Sequence, residues 1–151
     1  MKTTLNLKIF LIAAISFLFA APQAFADDDK PITLTGLPQK AQAFIAAHFP
    51  QKEIAVAKQE GHLLGKSYDV IFTNGDKVEF NRSGEWTKVS CRHNSVPHGI
   101  VPVQIMEYIN KNYPGATVKD IEKEDWLYEV GLNNGIDLKF NNSFKLVNID
   151  L

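Results

Sequence analysis

Cys91, His93 and His98 are the residues of this 151-residue chain whose types and spacing come nearest to a reactive or metal-binding group. A thiolate beside imidazoles can act as a nucleophile or hold zinc. Zinc takes about four ligands at compatible spacing, however, and Cys-x-His-x4-His is a poor match. Carboxylates are the other candidates. Asp69, Glu79, Glu129 and Asp137 alternate with apolar residues and lie near Lys77 and Lys139. That pattern reads as cross-strand charge pairing on a solvated sheet face rather than as an acid–base pair. Asp27-Asp28-Asp29-Lys30 could suggest calcium, but a short charged run of this kind reads as a solvated tail. The chain has no glycine-rich phosphate loop, no Gly-x-Ser-x-Gly and no His-Glu-x-x-His. These residues therefore predict no enzyme, no catalytic residue, no metal site and no cofactor.

The elements that must position these residues begin after a leader. Lys2 and Lys8 precede an apolar stretch from Ile9 to Ala21, and Ala24-Phe25-Ala26 has the small-x-small form of a cleavage site. Residues 1–26 are expected to be a signal peptide cut after Ala26, giving a periplasmic or secreted product. The apolar stretch falls short of the roughly 20 residues a membrane span needs, so no stable anchor is expected after cleavage. Removing Lys2 and Lys8 leaves fourteen basic against seventeen acidic residues, a net charge of −3. An acidic chain argues against a nucleic-acid partner, which would call for a basic face. Cys91 is the single cysteine, so packing rather than disulfides must hold the exported fold.

Beyond the leader the chain resembles itself. Leu37-Pro38 through Phe49-Pro50 matches Val101-Pro102 through Tyr113-Pro114 at an offset of 64, and Ile54 and Glu60 continue that register to Val118 and Glu124. The offset then becomes 60, and Tyr68 to Asn81 (YDVIFTNGDKVEFN) faces Tyr128 to Asn141 (YEVGLNNGIDLKFN). Such sustained register indicates two tandem copies of one unit. The expected division is a disordered N-terminal tail over 27–35, one repeat over 36–93, a linker over 94–99 and a second repeat over 100–151.

Each copy reads as a helix followed by four strands. Ala41, Phe44, Ile45 and His48, and Ile105, Tyr108, Ile109 and Asn112, fall at i, i+3, i+4, i+7, the spacing of one buried stripe. Pro38 and Pro102 suit a first turn, and Pro50 and Pro114 stop both helices. The period then changes to two, with Asn74-Gly75 and Asn134-Gly135 as hairpin turns. The expected fold is α+β: two helix-plus-four-strand repeats forming one eight-stranded antiparallel sheet, with both helices on the same face. At offset 60 Cys91 corresponds to Leu151, a strand-end apolar position, so it reads as a small buried residue.

The ordered set of motifs, a helix ending in Phe-Pro, a Tyr-acid-Val strand and an Asn-Gly turn, is similar to the PepSY-like, beta-lactamase-inhibitor-like family of secreted bacterial proteins. In its tandem form the resemblance covers about Leu34 to Leu151. It implies helices packed on an antiparallel sheet whose open face is free to bind proteins, and a role among periplasmic inhibitors or regulators of hydrolases. The protruding loop by which beta-lactamase inhibitory proteins enter their target has no counterpart in the tight Asn74-Gly75 and Asn134-Gly135 turns.

The expected function is a non-catalytic module that binds another envelope protein or a peptide and regulates or inhibits an envelope hydrolase. The alternative is a small-ligand or metal carrier using His62, His93 and His98. The expected surface is the sheet face opposite the helices. If Thr87/Val147, Val89/Ile149 and Cys91/Leu151 point inward, then Trp86, Lys88, Phe144 and Leu146 point outward, on the side of Ile71, Lys77, Glu79, Glu129 and Lys139. Leu63 and Leu64 add a second candidate surface. Seven residues separate Glu60 from Tyr68 but only three separate Glu124 from Tyr128, so the extra length makes a longer apolar loop in the first copy.

Overall fold

Pro38 and Pro102 each stand at the N-cap of a ten-residue helix, where a missing N–H costs no intrahelical bond. These helices are α1 (Gln39–His48) and α2 (Val103–Asn112). The structure is a computed structural model and describes residues 29–61 and 65–151. Its strands are β1 (Lys30–Pro31), β2 (Ile54–Glu60), β3 (Ser67–Phe72), β4 (Lys77–Asn81), β5 (Trp86–Ser90), β6 (Val118–Lys123), β7 (Leu127–Leu132), β8 (Asp137–Asn141) and β9 (Leu146–Asp150). They form one nine-stranded sheet in chain order, and every neighbouring pair is antiparallel.

Register decides which face carries the helices. Directly opposed residues in an antiparallel pair share a face. Val78 faces Val89, Val89 faces Ile121, Ile121 faces Val130 and Val130 faces Leu138, so one apolar row crosses both halves. All five are fully buried. Phe44 of α1 meets Phe80 edge-on at 5.6 Å, and Tyr108 of α2 meets Phe140 in the same way at 5.4 Å. Phe80 and Phe140 share that row's face by alternation, so both helices pack on the same side. Burying each such side chain is worth about 1.5–3 kcal/mol. The core therefore runs as one layer between two helices and one sheet, as a chain without disulfides requires.

Two expectations need correction. The sheet has nine strands rather than eight, because residues within the expected disordered tail join it. Lys30 and Pro31 pair with Gln59 and Lys58, and Ile32 donates its N–H to Ala57 O at 2.8 Å. The tail orders because β2 would otherwise present an unpaired edge, and Pro31 blunts the edge that replaces it. The leader, His62, Leu63 and Leu64 lie outside the described residues.

Candidate binding face

The face opposite the helices is assembled by alternation along each strand. Lys58, Asp69, Glu79, Lys88, Glu122, Glu129, Lys139 and Asn148 lie in one row across β2–β9. The neighbouring row is Val56, Ile71, Lys77, Ser90, Asp120, Gly131, Asp137 and Asp150. The two halves differ in charge. From β2 to β5, Glu60, Asp69 and Glu79 balance Lys58, Lys77 and Lys88. From β6 to β9, Asp120, Glu122, Glu129, Asp137 and Asp150 face a single cation, Lys139.

In the first half the charges are paired closely. Asp69 is 2% exposed beneath its neighbours, with Lys77 Nζ at 2.7 Å and Lys58 Nζ at 3.7 Å. Lys58 also pairs with Asp29 at 2.7 Å and with Glu60 at 2.5 Å, and its bonds to these two carboxylates hold its ammonium well above the usual lysine range. Lys88 reaches across the centre of the sheet to Glu122 at 2.7 Å, and that bond raises its pKa.

In the second half the negative charge is less well compensated. Asp120 lies over Gly131, where an added Cβ would collide with its carboxylate. Burial raises the Asp120 pKa, and the charge of Asp137 adds to the effect. Lys139 bonds Asp150 at 3.0 Å and Glu129 at 3.4 Å, leaving Asp120 and Asp137 without a cation of their own half.

Of the residues expected on this face, Lys88 and Ile71 are there. Trp86, Leu146 and Phe144 are not. A bulge between Glu79 and Phe80 inserts Thr87 opposite the ladder, so Trp86 faces Phe80. A bulge between Lys139 and Phe140 likewise places Leu146 opposite Phe140. One inserted residue reverses the parity of everything beyond it. Trp86 accordingly lies half-buried beside Phe44 of α1, with ring centroids 6.3 Å apart. Phe144 packs on Tyr128 at 5.6 Å and holds φ at +57°, in the left-handed region. Val147, expected inward, is 54% exposed.

Cys91 is buried, as expected, although Leu151, the position on which that expectation rested, is fully exposed. Burial, with the nearby Asp76 charge adding to it, pushes its thiol up to about 11, which leaves it a poor nucleophile at neutral pH. His93 and His98 are exposed. A cavity of about 210 Å3 between the linker and α2 is lined in part by His98, Val101, Met106 and Val118. Pockets for drug-sized ligands run from about 300 to 1,000 Å3, a range reached by a more open cavity of about 380 Å3 lined in part by Glu85, Trp86, Lys123 and Tyr128.

Two residues escaped the sequence reading. Trp126, in the short β6–β7 turn, is 80% exposed. Its signal was a tryptophan among Glu124, Asp125 and other turn residues. Asp76 is fully buried at the β3–β4 turn, where it accepts bonds from Lys52 Nζ, Asn74 Nδ2 at 2.9 Å and the Arg92 N–H at 2.9 Å. Its signal was Asn-Gly-Asp against Asn-Gly-Ile at matching positions.

Comparisons with known proteins agree with this architecture. A Bacteroides vulgatus structure described as a putative periplasmic protein is 50% identical to the chain. It aligns with a TM-score of 0.81 over 83% of this chain and 99% of its own. A Bacteroides thetaiotaomicron structure, described as a putative calcium-regulated periplasmic protein, is 52% identical with the same TM-score and coverages. A second Bacteroides vulgatus protein, described as a putative periplasmic protein of unknown function, is 33% identical, with a TM-score of 0.76 over 82% of this chain and 99% of its own. No curated protein matches. Among the described residues no helix is long and apolar enough to cross a membrane. The family model described as "Putative beta-lactamase-inhibitor-like, PepSY-like" matches residues 66–148, more than half of the sequence, and the chain belongs to that family.

Proposed function

We propose that this chain is a non-catalytic periplasmic module that presents the acidic half of its open sheet face to a basic segment of another envelope protein. The observation that carries this reading is the charge asymmetry of that face, balanced over β2–β5 and strongly acidic over β6–β9. Complementary charge steers encounter and excludes wrong partners, and a face without a helix over it leaves room for a protein surface. Regulation or inhibition of an envelope hydrolase is the finer role, suggested by the inhibitor-like wording of the family description. The leader and the periplasmic descriptions of the relatives support the location. We further infer that the two halves are copies of one unit, because the order of elements and the positions of the sheet bulges recur in both.

Calcium regulation is said of the Bacteroides thetaiotaomicron relative. Among the described residues of this chain, no group of three or more His, Cys, Asp or Glu side chains is disposed to hold a metal ion. His62, one of the three residues of the carrier alternative, lies outside the described residues, and the charge asymmetry of the sheet face is what supports protein binding.

The test is capture from envelope extract with the wild-type protein and with Asp120→Lys/Asp137→Lys, after checking that both melt cooperatively. Proteins enriched by the wild type should be lost from the variant and should wash off as ionic strength rises. Equal recovery by both proteins sinks the reading.

A further inference from the structure

Strands β5 and β9 occupy matching places in the two halves but end in different surroundings. Beside β5 lies β6, paired through Lys88–Glu122, Val89–Ile121 and Ser90–Asp120. Among the described residues no strand lies beside β9 on its other side. Val89 is 0% exposed and its counterpart Ile149 is 41% exposed, with Val147 at 54%. An apolar position that is core in one half is thus part of an open apolar strip in the other.

Natural sheets usually protect such an edge with proline, lysine or a very short strand. The opposite edge of this sheet does so, because β1 has two residues, a lysine and a proline. β9 has no proline or lysine within Leu146–Asp150, and its bulge at Leu146–Val147 and its one charge, Asp150, flank Ile149 without covering it. Its backbone phase also suits pairing. Cys91 donates its N–H to Lys119 O at 2.8 Å, so Val89 and Cys91 aim their main-chain groups at β6. The bulges of β5 and β9 coincide, so Ile149 and Leu151 aim theirs at the free edge.

We propose that β9 pairs with β9 of a second copy of this chain, antiparallel about a twofold axis at Ile149. In that register Ile149 meets the same residue of the second copy, Asn148 meets Asp150, and Val147 meets Leu151. The apolar residues of the strip find one another, an amide meets a carboxylate, and no like charges are opposed. A twofold contact of this kind closes on itself and makes a dimer rather than a fibre. Both pairs of helices lie on one side of the extended sheet. The contact is short, so the dimer is weak, with a dissociation constant on the order of micromolar. The inference concerns the sheet edge and stands apart from the binding role of the open face.

Sedimentation velocity of the purified protein over a wide concentration range tests it. A monomer–dimer equilibrium is expected, and Ile149→Lys should weaken it by at least about tenfold while the melting curve stays cooperative, because two lysines would oppose each other. Cysteine trapping reads the register independently of that variant. Ile149→Cys should give a disulfide-linked dimer under mild oxidation, and Asn148→Cys should not, because its symmetry mate lies two residues out of register. A protein that stays monomeric throughout, a dimer indifferent to Ile149→Lys, or equal cross-linking at 148 and 149 would overturn the proposal.

Discussion

The two Asn-Gly hairpins share a backbone and differ in what they bury. In the first, Phe72 N–H bonds Asp76 O at 2.9 Å and Gly75 N–H bonds Phe72 O at 2.9 Å. In the second, Leu132 N–H bonds Ile136 O at 2.9 Å and Gly135 N–H bonds Leu132 O at 3.1 Å. Both turn glycines sit at φ +84°, and both asparagines accept the N–H two residues on at 3.2 Å. Yet residue 76 is an aspartate bonded by Lys52, while its counterpart is Ile136 and the counterpart of Lys52 is Ala116. The turn chemistry fixes the backbone, and the side chain that follows is free to be ionic or apolar. The ionic version does something the apolar one cannot. By accepting the Arg92 N–H, Asp76 ties the turn to the segment that leaves β5, and by bonding Lys52 it ties the turn to the chain beyond α1.

The sharpest way to break this comparison is to remove the carboxylate alone. Asp76→Ala should cost about 3 kcal/mol in urea unfolding at neutral pH, because Lys52 and the Arg92 N–H lose their buried acceptor. Lys52→Ala/Asp76→Ile imports the chemistry of the second half and should cost only about 1 kcal/mol, since a buried ion pair is often replaceable by apolar packing. A double variant as unstable as the single one would show that the hairpins are not interchangeable.

Next in size are the tryptophans. Trp86→Ala should cost about 2–3 kcal/mol, below the range for a fully buried ring because Trp86 is half-buried, and Trp126→Ala less than about 0.5 kcal/mol. Equal effects would contradict the parity set by the β4–β5 bulge.

The β4–β5 and β8–β9 turns offer a third contrast. Gly84 has φ +82°, and a Cβ there would stand 2.7 Å from that of Pro38, whereas Phe144 takes the corresponding place at φ +57°. Gly84→Ala should cost about 2 kcal/mol, while Phe144→Gly should stay within about 1 kcal/mol of wild type, as strain relief offsets lost packing on Tyr128. Thermal unfolding of the two variants decides this.

Acid titration sharpens the first comparison further. Burial works against the charge of Asp76, but the bonds from Lys52, Asn74 and Arg92 outweigh it and hold the carboxyl below its ordinary 3.8. A depressed folded-state pKa gives stability that is complete above the unfolded value and is lost as pH falls through the folded one. The wild type should therefore lose stability below 3.8 more steeply than Lys52→Ala/Asp76→Ile. Parallel acid limbs in pH-dependent denaturation would argue against it.

The smallest effect concerns the acidic half of the open face. Asp120 has a raised pKa, so its charge opposes folding at neutral pH and the opposition fades as pH falls through the folded value. Asp120→Asn should raise stability at pH 7 by less than about 1 kcal/mol. A loss of stability would mean that the Asp120 carboxylate is better compensated than its neighbours allow.

Much of the architecture was legible in the residues. The stripes Ala41–Ile45 and Ile105–Ile109 gave both helices, the Asn-Gly pairs gave the hairpins, and the alternation of Tyr68, Val70 and Phe72 gave the buried face. These signals are local: helical spacing and strand alternation are properties of consecutive residues. Less of the candidate site was legible. Lys88 and Ile71 lie on the open face, while Trp86 and Leu146 lie on the other, because a bulge adds a residue without disturbing the apolar pattern from which parity is read. Lys30 and Pro31 carry no strand signal of their own and pair only because β2 offers an edge.

The sequence by itself determined the two helices, the eight longer strands, their order and the inward residues of each uninterrupted strand, since backbone geometry and hydrophobic period act within a few residues. Only the tertiary structure decided that Asp76 meets Lys52 and that Val89 is buried while Ile149 is open. Those outcomes depend on which distant segment stands beside a residue, and no period within its own strand records that.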